Sequence, residues 1–506
     1  MLVILMVLSL AACGKSGTPS SPSSPDKPGT SPAKPVEIVF AISNTPNGLD
    51  PISEDNQNTI MVCSTFYDRL VEIRAADNSW APGAAKGWKQ VDETTWEFEI
   101  NLDHKFSNGE QLTMDDVKFS IERLATIPKS ADAFKGIAGI SYQGNILTIK
   151  LNKPNNTIIP QIIYMCVIVN KKYIESGGDE AVYTKPIGTG PYTVTSFTPG
   201  GDLVVEARAD YPFGKAQIDK ITFKAIPEVQ ARYIAVETGQ AQFAGILSPM
   251  ELKLAEEKGT FTIINKTSQR SVLMTLNTEK PPFNDVNLRR AMAYALDRDS
   301  IAALNGGRVP IKSPLFGGFP AYYHEPVNLP EYNPEKAKQL FEAAGISPAN
   351  PLTVTFYYWQ PEPGIEFYQA ELLKLGVNLD TQMVEFSVYL NHEATGDFDI
   401  VFTGSRNQAG SYLMDTQRVN SNFIGSRNIA RWVNADAMTL VEEMLVSTDQ
   451  ERIKALGVQL ADLVGDQCPI IPWILNPAIC VMDKKLTGVE VRGDLVVIIR
   501  GMEYHG

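Results

Sequence analysis

Four histidines, five cysteines and the adjacent acids Asp115-Asp116 are the residues from which a catalytic or metal centre would have to be built. His104, His324, His392 and His505 are scattered, and none has the H-E-x-x-H spacing that sets two imidazoles on one helical face for zinc. His392-Glu393 lacks a second histidine four residues on, and His104, at a strand end, reads as a solvated loop residue. There is no G-x-S-x-G elbow, and the S-x-x-K run Ser31 to Lys34 lies in a Pro/Ser-rich stretch that cannot hold a nucleophile in place. Asp115-Asp116 open an amphipathic run, where capping and the helix dipole account for them. Pro186-Ile187-Gly188-Thr189-Gly190-Pro191-Tyr192 is glycine-rich but lacks the third glycine, the Lys-Ser/Thr pair and the following helix of a phosphate loop. These patterns argue against an enzyme, and no catalytic residue, metal site or cofactor is expected.

The elements around these residues are well marked. Trp96, Phe98, Ile100 and Leu102 alternate with Thr95, Glu97, Glu99 and Asn101, which predicts a strand with one wet face. Asn108-Gly109 supplies a turn. Thr113 with Asp116 three places on forms a capping box, with Val117, Ile121 and Leu124 on one face behind it. Val36–Ile42 reads as a core strand followed by a loop, Asn44 to Pro51. Further strands are expected at Ile146–Leu151, Ile163–Val169, Leu203–Val205, Ile218–Ile226, Leu273–Leu276, Thr353–Trp359 and Phe398–Thr403, and Ile470–Leu475 suits a crossing strand. Helices are expected from Glu228 to Glu237, behind a cap at Asp285 (Leu288, Ala291, Met292), and behind Asn333-Pro334 with Leu340, Phe341 and Ala344 inward and Gly345 closing it.

At 506 residues the chain can fill two or three domains, and 44% hydrophobic with 20% charged residues is ordinary for a globular protein. A net charge of −13 argues against nucleic acid or an anionic membrane surface as partner. Met1 to Ala12 is apolar, too short to span a bilayer, and reads as the core of a signal peptide, although no Lys or Arg precedes it. Gly14 to Pro35 has no large apolar residue and should form a semi-extended tether of up to roughly 70 Å. Cys63, Cys166, Cys468 and Cys480 fit either two disulfides or buried free thiols.

Several segments together carry a family resemblance. Trp88, the strand at 95–100, Phe106, Gly109 and Leu112-Thr113-x-Asp115-Asp116-Val117 resemble the hallmark segment of family 5 extracellular solute-binding proteins, the peptide, nickel and opine receptors of ABC importers. The loop Asn44 to Pro51, Tyr67 to Val71 at the end of a helix, Gly188-Thr189-Gly190-Pro191-Tyr192, Asn277 through Asp297-Arg298, and the Gly/Pro-rich 307–318 are similar to that family in the same order. Leu10-Ala11-Ala12-Cys13 resembles a lipobox. The resemblance implies an α/β fold with two lobes, the class II periplasmic-binding-protein type of cluster C. A signal peptide at 1–12, a lipidated Cys13 and tether at 13–35, lobe I at 36–269 and 481–506 with a subdomain inserted at about 52–185, and lobe II at 270–480 follow from it.

It also implies a function: capture of an oligopeptide-like small polar solute between the lobes, and delivery to ABC permease subunits, by a monomer held to the membrane through its lipid, in the periplasm or on a Gram-positive surface. The alternatives are a nickel-chelate, opine or sugar receptor, or a sensory lipoprotein without transport. The dipeptide clamp of better-known members is not carried over, since 405–411 has no acid before Asp415 and the segment after Thr353–Trp359 has no Arg. Arg406, just past a strand end, can take a ligand carboxylate bidentately or form a salt bridge. Trp359 is an aromatic wall or core; Asn44 and Thr45 bind ligand or shape their loop; Arg270 stands near the crossing; Glu362 can bind a ligand amine but reads better as a solvated loop acid.

Overall fold

The computed structural model describes residues 34–50, 52, 57–76, 79–126, 134–177, 183–304, 308–316, 322–362, 364–404 and 412–506, and Val36–Gly506 packs as one unit. Cys13 lies outside the described residues, as do Arg406 and nearly all of the tether.

Along the chain, β1 (Glu37–Ile42) is followed by a short hairpin, β2 (Val71–Ile73) and β3 (Trp80–Pro82), and by a separate four-stranded sheet. That sheet comprises β4 (Ala85–Asp92), β5 (Thr95–Ile100), β6 (Ile137–Gln143) and β7 (Ile146–Leu151), all antiparallel in the order β4-β5-β7-β6. Next come β8 (Tyr192–Phe197), β9 (Leu203–Ala207), β10 (Lys220–Ala225), β11 (Phe243–Ala244), the long β12 (Phe261–Leu276) and β13 (Val309–Pro310). The last are β14 (Leu352–Tyr358), β15 (Val377–Met383), β16 (Ile400–Gly404) and the long β17 (Ile470–Asp483). Among the described residues these form one large sheet, β15-β14-β16-β12-β17-β11-β1-β10-β9-β8, with β13 beside β17. From Ile38 to Ile42 β1 is apolar, because it lies between two parallel neighbours, β10 and β11, and is covered on both faces; only Glu37 at its start is exposed.

Local signals act as the sequence requires. Thr113 and Asp116 form the reciprocal capping box, and Asp285 and Asn333 cap their helices. Gly109 and Gly345 take left-handed backbones at turn and helix end. Gly188 and Gly190 serve a different purpose: a Cβ on either would stand 1.9 or 2.6 Å from the Phe66 backbone. Gly190 and Tyr192 donate main-chain bonds to Phe66 and Thr65, so the turn is a backbone-on-backbone contact that only glycine permits. The four described cysteines are free and buried. Burial pushes the Cys166 and Cys468 thiols up to about 12 and Cys480 to about 11.

Some expectations are corrected. Ile163 belongs to the helix Ile158–Met165, because Ile158, Ile159, Ile162 and Ile163 bury a helical stripe; beyond it Val167 and Val169 make isolated bridges. The helix before Tyr67 ends at Cys63, and Tyr67 to Val71 lead into β2 instead. Ala344 is exposed, and Ala337 takes the inward place beside Phe341. His104 is buried, its Nδ1 2.8 Å from Asp68 Oδ2 and its ring against Phe213, so a buried carboxylate draws it inside. Glu362 is buried as well, its side chain paired with Arg308 at 3.4 Å.

The two long strands link the two lobes. The amino half of β12 pairs with the carboxyl half of β17 (Phe261 with Asp483 through Thr267 with Pro477). After a register break, the pairing resumes at Ser271 with Leu475 and is otherwise continuous except for a second break at Val272/Leu273. β17 is buried along its length except for Asn476-Pro477 and Asp483, and Pro477 and Pro472 sit beside the two breaks, where a residue without an N–H can be accommodated.

Candidate ligand-binding cleft

Strand registers locate the cleft. β11 runs antiparallel to β17 and ends at Ala244, opposite Val481, heading toward the break; β1 runs parallel beside it. From the other lobe, β16 runs antiparallel to β12 and ends at Gly404 opposite Val272, also heading toward the break, with β14 parallel to it. The carboxyl ends of parallel strands from both lobes therefore converge on the middle of the crossing strands. Each set also holds a change of winding direction: β10 and β11 flank β1, and β15 and β16 flank β14. Crevices outside such strand ends are where open α/β sheets bind ligands.

The loop after β1 forms one wall. Exposed Asn44 accepts bonds from Asn58 Nδ2 at both its carbonyl and its side-chain oxygen, each 2.9 Å. Thr45 is buried and its hydroxyl donates to the Gly201 carbonyl. The loop is held at its far end by Asp50, which receives Arg123 at 2.6 and 3.3 Å, both side chains buried. Behind it, Asp68 pairs with Arg500 at 2.6 Å and with His104. Burial alone would raise the Asp68 pKa, but the Arg500 guanidinium and His104 hold it below the ordinary carboxylate range.

On the opposite wall Trp359 directly follows β14, 38% exposed, with its ring 4.9 Å from Phe386, which opens the helix after β15. An indole with one side packed and the other wet can stack on a ligand. Arg270 lies in β12 within the register break; its side chain and Arg406, two residues past β16, are outside what the structure describes.

The floor holds residues the sequence did not single out. β13 pairs Val309 with Leu475 and Pro310 with Ile474, so continuing that register brings Arg308 opposite Asn476. Arg308 Nη1 meets Glu362, while among the described residues its buried Nε–H has no partner and neither has the buried Asn476 Oδ1. Ser268, inside the break, donates its hydroxyl to the Asn476 carbonyl. A buried donor and acceptor left unpaired cost about 1–3 kcal/mol each, which a ligand offering both kinds of group would offset. Arg308 falls in the family-like 307–318 segment, but neither it nor Asn476 stands in a ligand-binding motif, and pairing of 309–310 with 474–475 joins segments too distant for periodicity to reveal.

Two lobes joined by crossing strands, with strand ends facing one crevice, define a periplasmic-binding-protein architecture. The model of bacterial extracellular solute-binding proteins, family 5, matches residues 79–426, and the chain belongs to that family. It is 25% identical over 479 residues to heme-binding protein A of Haemophilus influenzae, covering 86% of each chain. The structure of the oligopeptide-binding protein AppA from Bacillus subtilis in complex with a nonapeptide shares the fold at a TM-score of 0.80 and 20% identity, with 93% of this chain and 99% of that one covered. The ABC transporter-associated periplasmic binding protein DppA from Helicobacter pylori, in complex with the peptide STSA, matches at 0.77 and 20% identity over 91% and 98%. Each of these three is a binding protein. Among the described residues no helix is long and apolar enough to cross a membrane, and no cluster of His, Cys, Asp and Glu could hold a metal ion.

Proposed function

We propose that this protein captures an oligopeptide-like polar solute in the crevice between its lobes and passes it, as a monomer, to an ABC importer. The observation that carries the reading is the unpaired pair on the crevice floor, the Arg308 Nε–H donor and the Asn476 Oδ1 acceptor. A peptide group presents one acceptor and one donor a few ångströms apart, matching both. Trp359 supplies a face for a side chain, Asn44 and Thr45 border the opposite wall, and Arg406 and Arg270 supply positive charge for a carboxylate. Enclosure between the lobes removes water and strengthens each of these bonds.

Native mass spectrometry of the purified protein, followed by calorimetry with peptides of two to five residues, tests it. Arg308→Gln should weaken a bound peptide by about 1.5–3 kcal/mol, the range for a charged donor. Binding of a nickel chelate, opine or sugar with no peptide binding would replace this reading. Anchoring through lipid on Cys13 is part of the proposal. A labelled fatty acid should mark the wild type in cells and not Cys13→Ala, and equal labelling would reject it.

A further inference from the structure

Away from the cleft, the four-stranded-sheet region meets the second lobe through well-formed hydrogen bonds at Asn156. Asn156 precedes the helix Ile158–Met165 and faces the end of the helix Ala435–Val446. Its main-chain N–H donates to Leu445 O at 2.8 Å, and its side-chain Nδ2 donates to Ser447 O at 2.5 Å and Met444 O at 3.4 Å. Met444 and Leu445 lie in the last turn of their helix, where carbonyls have no partner within the helix. Asn156 thus caps, from another part of the fold, a helix end that would otherwise need water. The neighbouring Asn155 fixes its geometry, since Asn155 Oδ1 accepts from the Thr157 N–H and hydroxyl at 2.9 and 2.8 Å, an Asx turn that aims the intervening residue. Beside the contact lies a cavity of about 220 Å³, walled by Trp80 and Trp96 on one side and Tyr412 and Gln450 on the other.

We propose that Asn156 is a closure latch: it sets the balance between closed and open lobes from outside the ligand crevice. The contact uses no residue of the cleft walls or floor, so it biases closure whatever the ligand is. When the lobes part, the Asn156 amide and the three carbonyls exchange each other for water. The latch therefore contributes only the net worth of its bonds, a modest bias suited to a reversible device. The inference rests on lobe movement and not on the peptide reading.

The test needs no ligand. Asn156→Ala removes the bond to Ser447 and the marginal 3.4 Å one to Met444, together worth about one full bond, keeps the main-chain bond, and should lower the closed-to-open ratio roughly 3- to 10-fold. Asn156→Asp sets a carboxylate against carbonyl oxygens and should lower it further. The readouts are the radius of gyration by X-ray scattering, which should rise, and tryptophan emission, which should shift red as Trp80 and Trp96 lose the far wall of the cavity. The melting temperature should stay within a degree or two. Unchanged scattering and emission would overturn the latch, and so would a fall in melting temperature without a change in shape, which marks a residue that merely supports the fold. Failure of the peptide reading shows instead in calorimetry and leaves these shape measurements untouched.

Discussion

The buried pair Asp50–Arg123 gives the sharpest prediction about how the cleft wall is built. Arg123, in the last turn of the helix Met114–Leu124, reaches both oxygens of Asp50, at 2.6 and 3.3 Å, with side chains 7% and 2% exposed. The Ile52 N–H adds a third bond to the carboxylate at 3.2 Å. Asp50→Asn keeps the shape and removes the negative charge that faces the buried Arg123 guanidinium. Breaking such a pair from one side costs about 3–5 kcal/mol, mostly because the other charge stays buried. Replacing both, Asp50→Asn with Arg123→Met, removes the guanidinium as well. The double variant should therefore be more stable than the sum of the single losses by at least about 1.5 kcal/mol, the lower bound for a hydrogen bond to a charged group. Urea unfolding followed through Trp80, Trp88 and Trp96 reads it, since these indoles cluster at 5.9–6.0 Å against the same core. A loss below about 1 kcal/mol for Asp50→Asn, or simple additivity in the cycle, would refute the argument that the charges hold the loop carrying Asn44 and Thr45.

Other consequences are as direct. Arg406→Ala should weaken an acidic or peptide ligand by about 1.5–3 kcal/mol in calorimetry, and unchanged affinity would remove Arg406 from the site. Gly190→Ala places a Cβ 2.6 Å from the Phe66 backbone and should destabilise by on the order of 1–3 kcal/mol, whereas Gly87→Ala, with open space around it, should be nearly silent; equal melting temperatures would contradict the close-approach account. Because the Asp68 pKa is depressed in the folded protein, its contribution is present above the unfolded value of about 3.9 and is lost as pH falls through the folded value. Unfolding free energy measured from pH 7 down to 3 should fall less steeply below about pH 4 in Asp68→Asn than in wild type.

How much of this was legible in the sequence depends on the range of the interaction. Capping at Thr113, Asp285 and Asn333 and the turn at Gly109 are decided within a few residues, and the structure shows them as the sequence implies. Ile163–Val169 misled because a short apolar run carries no period to separate a buried helix end from a strand. His104 and Glu362 looked solvated because their partners, Asp68 and Arg308, stand 36 and 54 residues away. β12 was foreseen only over its last four residues: Phe261–Lys266 gains its strand character from pairing with the far end of β17, more than two hundred residues on.

The same distinction explains why family is easier to read than ligand. The family signals are residues on which this scaffold's own packing depends: glycines pressed on the Phe66 backbone, a capping box, a helix behind Asp285. The crevice makes no such demand of its lining. β1, β14 and β16 deliver the same backbone ends to the same place whatever follows them, because register and winding direction set that convergence, not the loop side chains. Arg308 and Asn476 lie outside the paired positions of β13 with β17, and Asn476 also falls in the gap of the β12–β17 ladder, so the strand registers do not dictate either side chain. That freedom hides them from pattern reading, and it also lets one scaffold change its ligand by changing the floor while hinge, walls and the remote contact at Asn156 stay as they are.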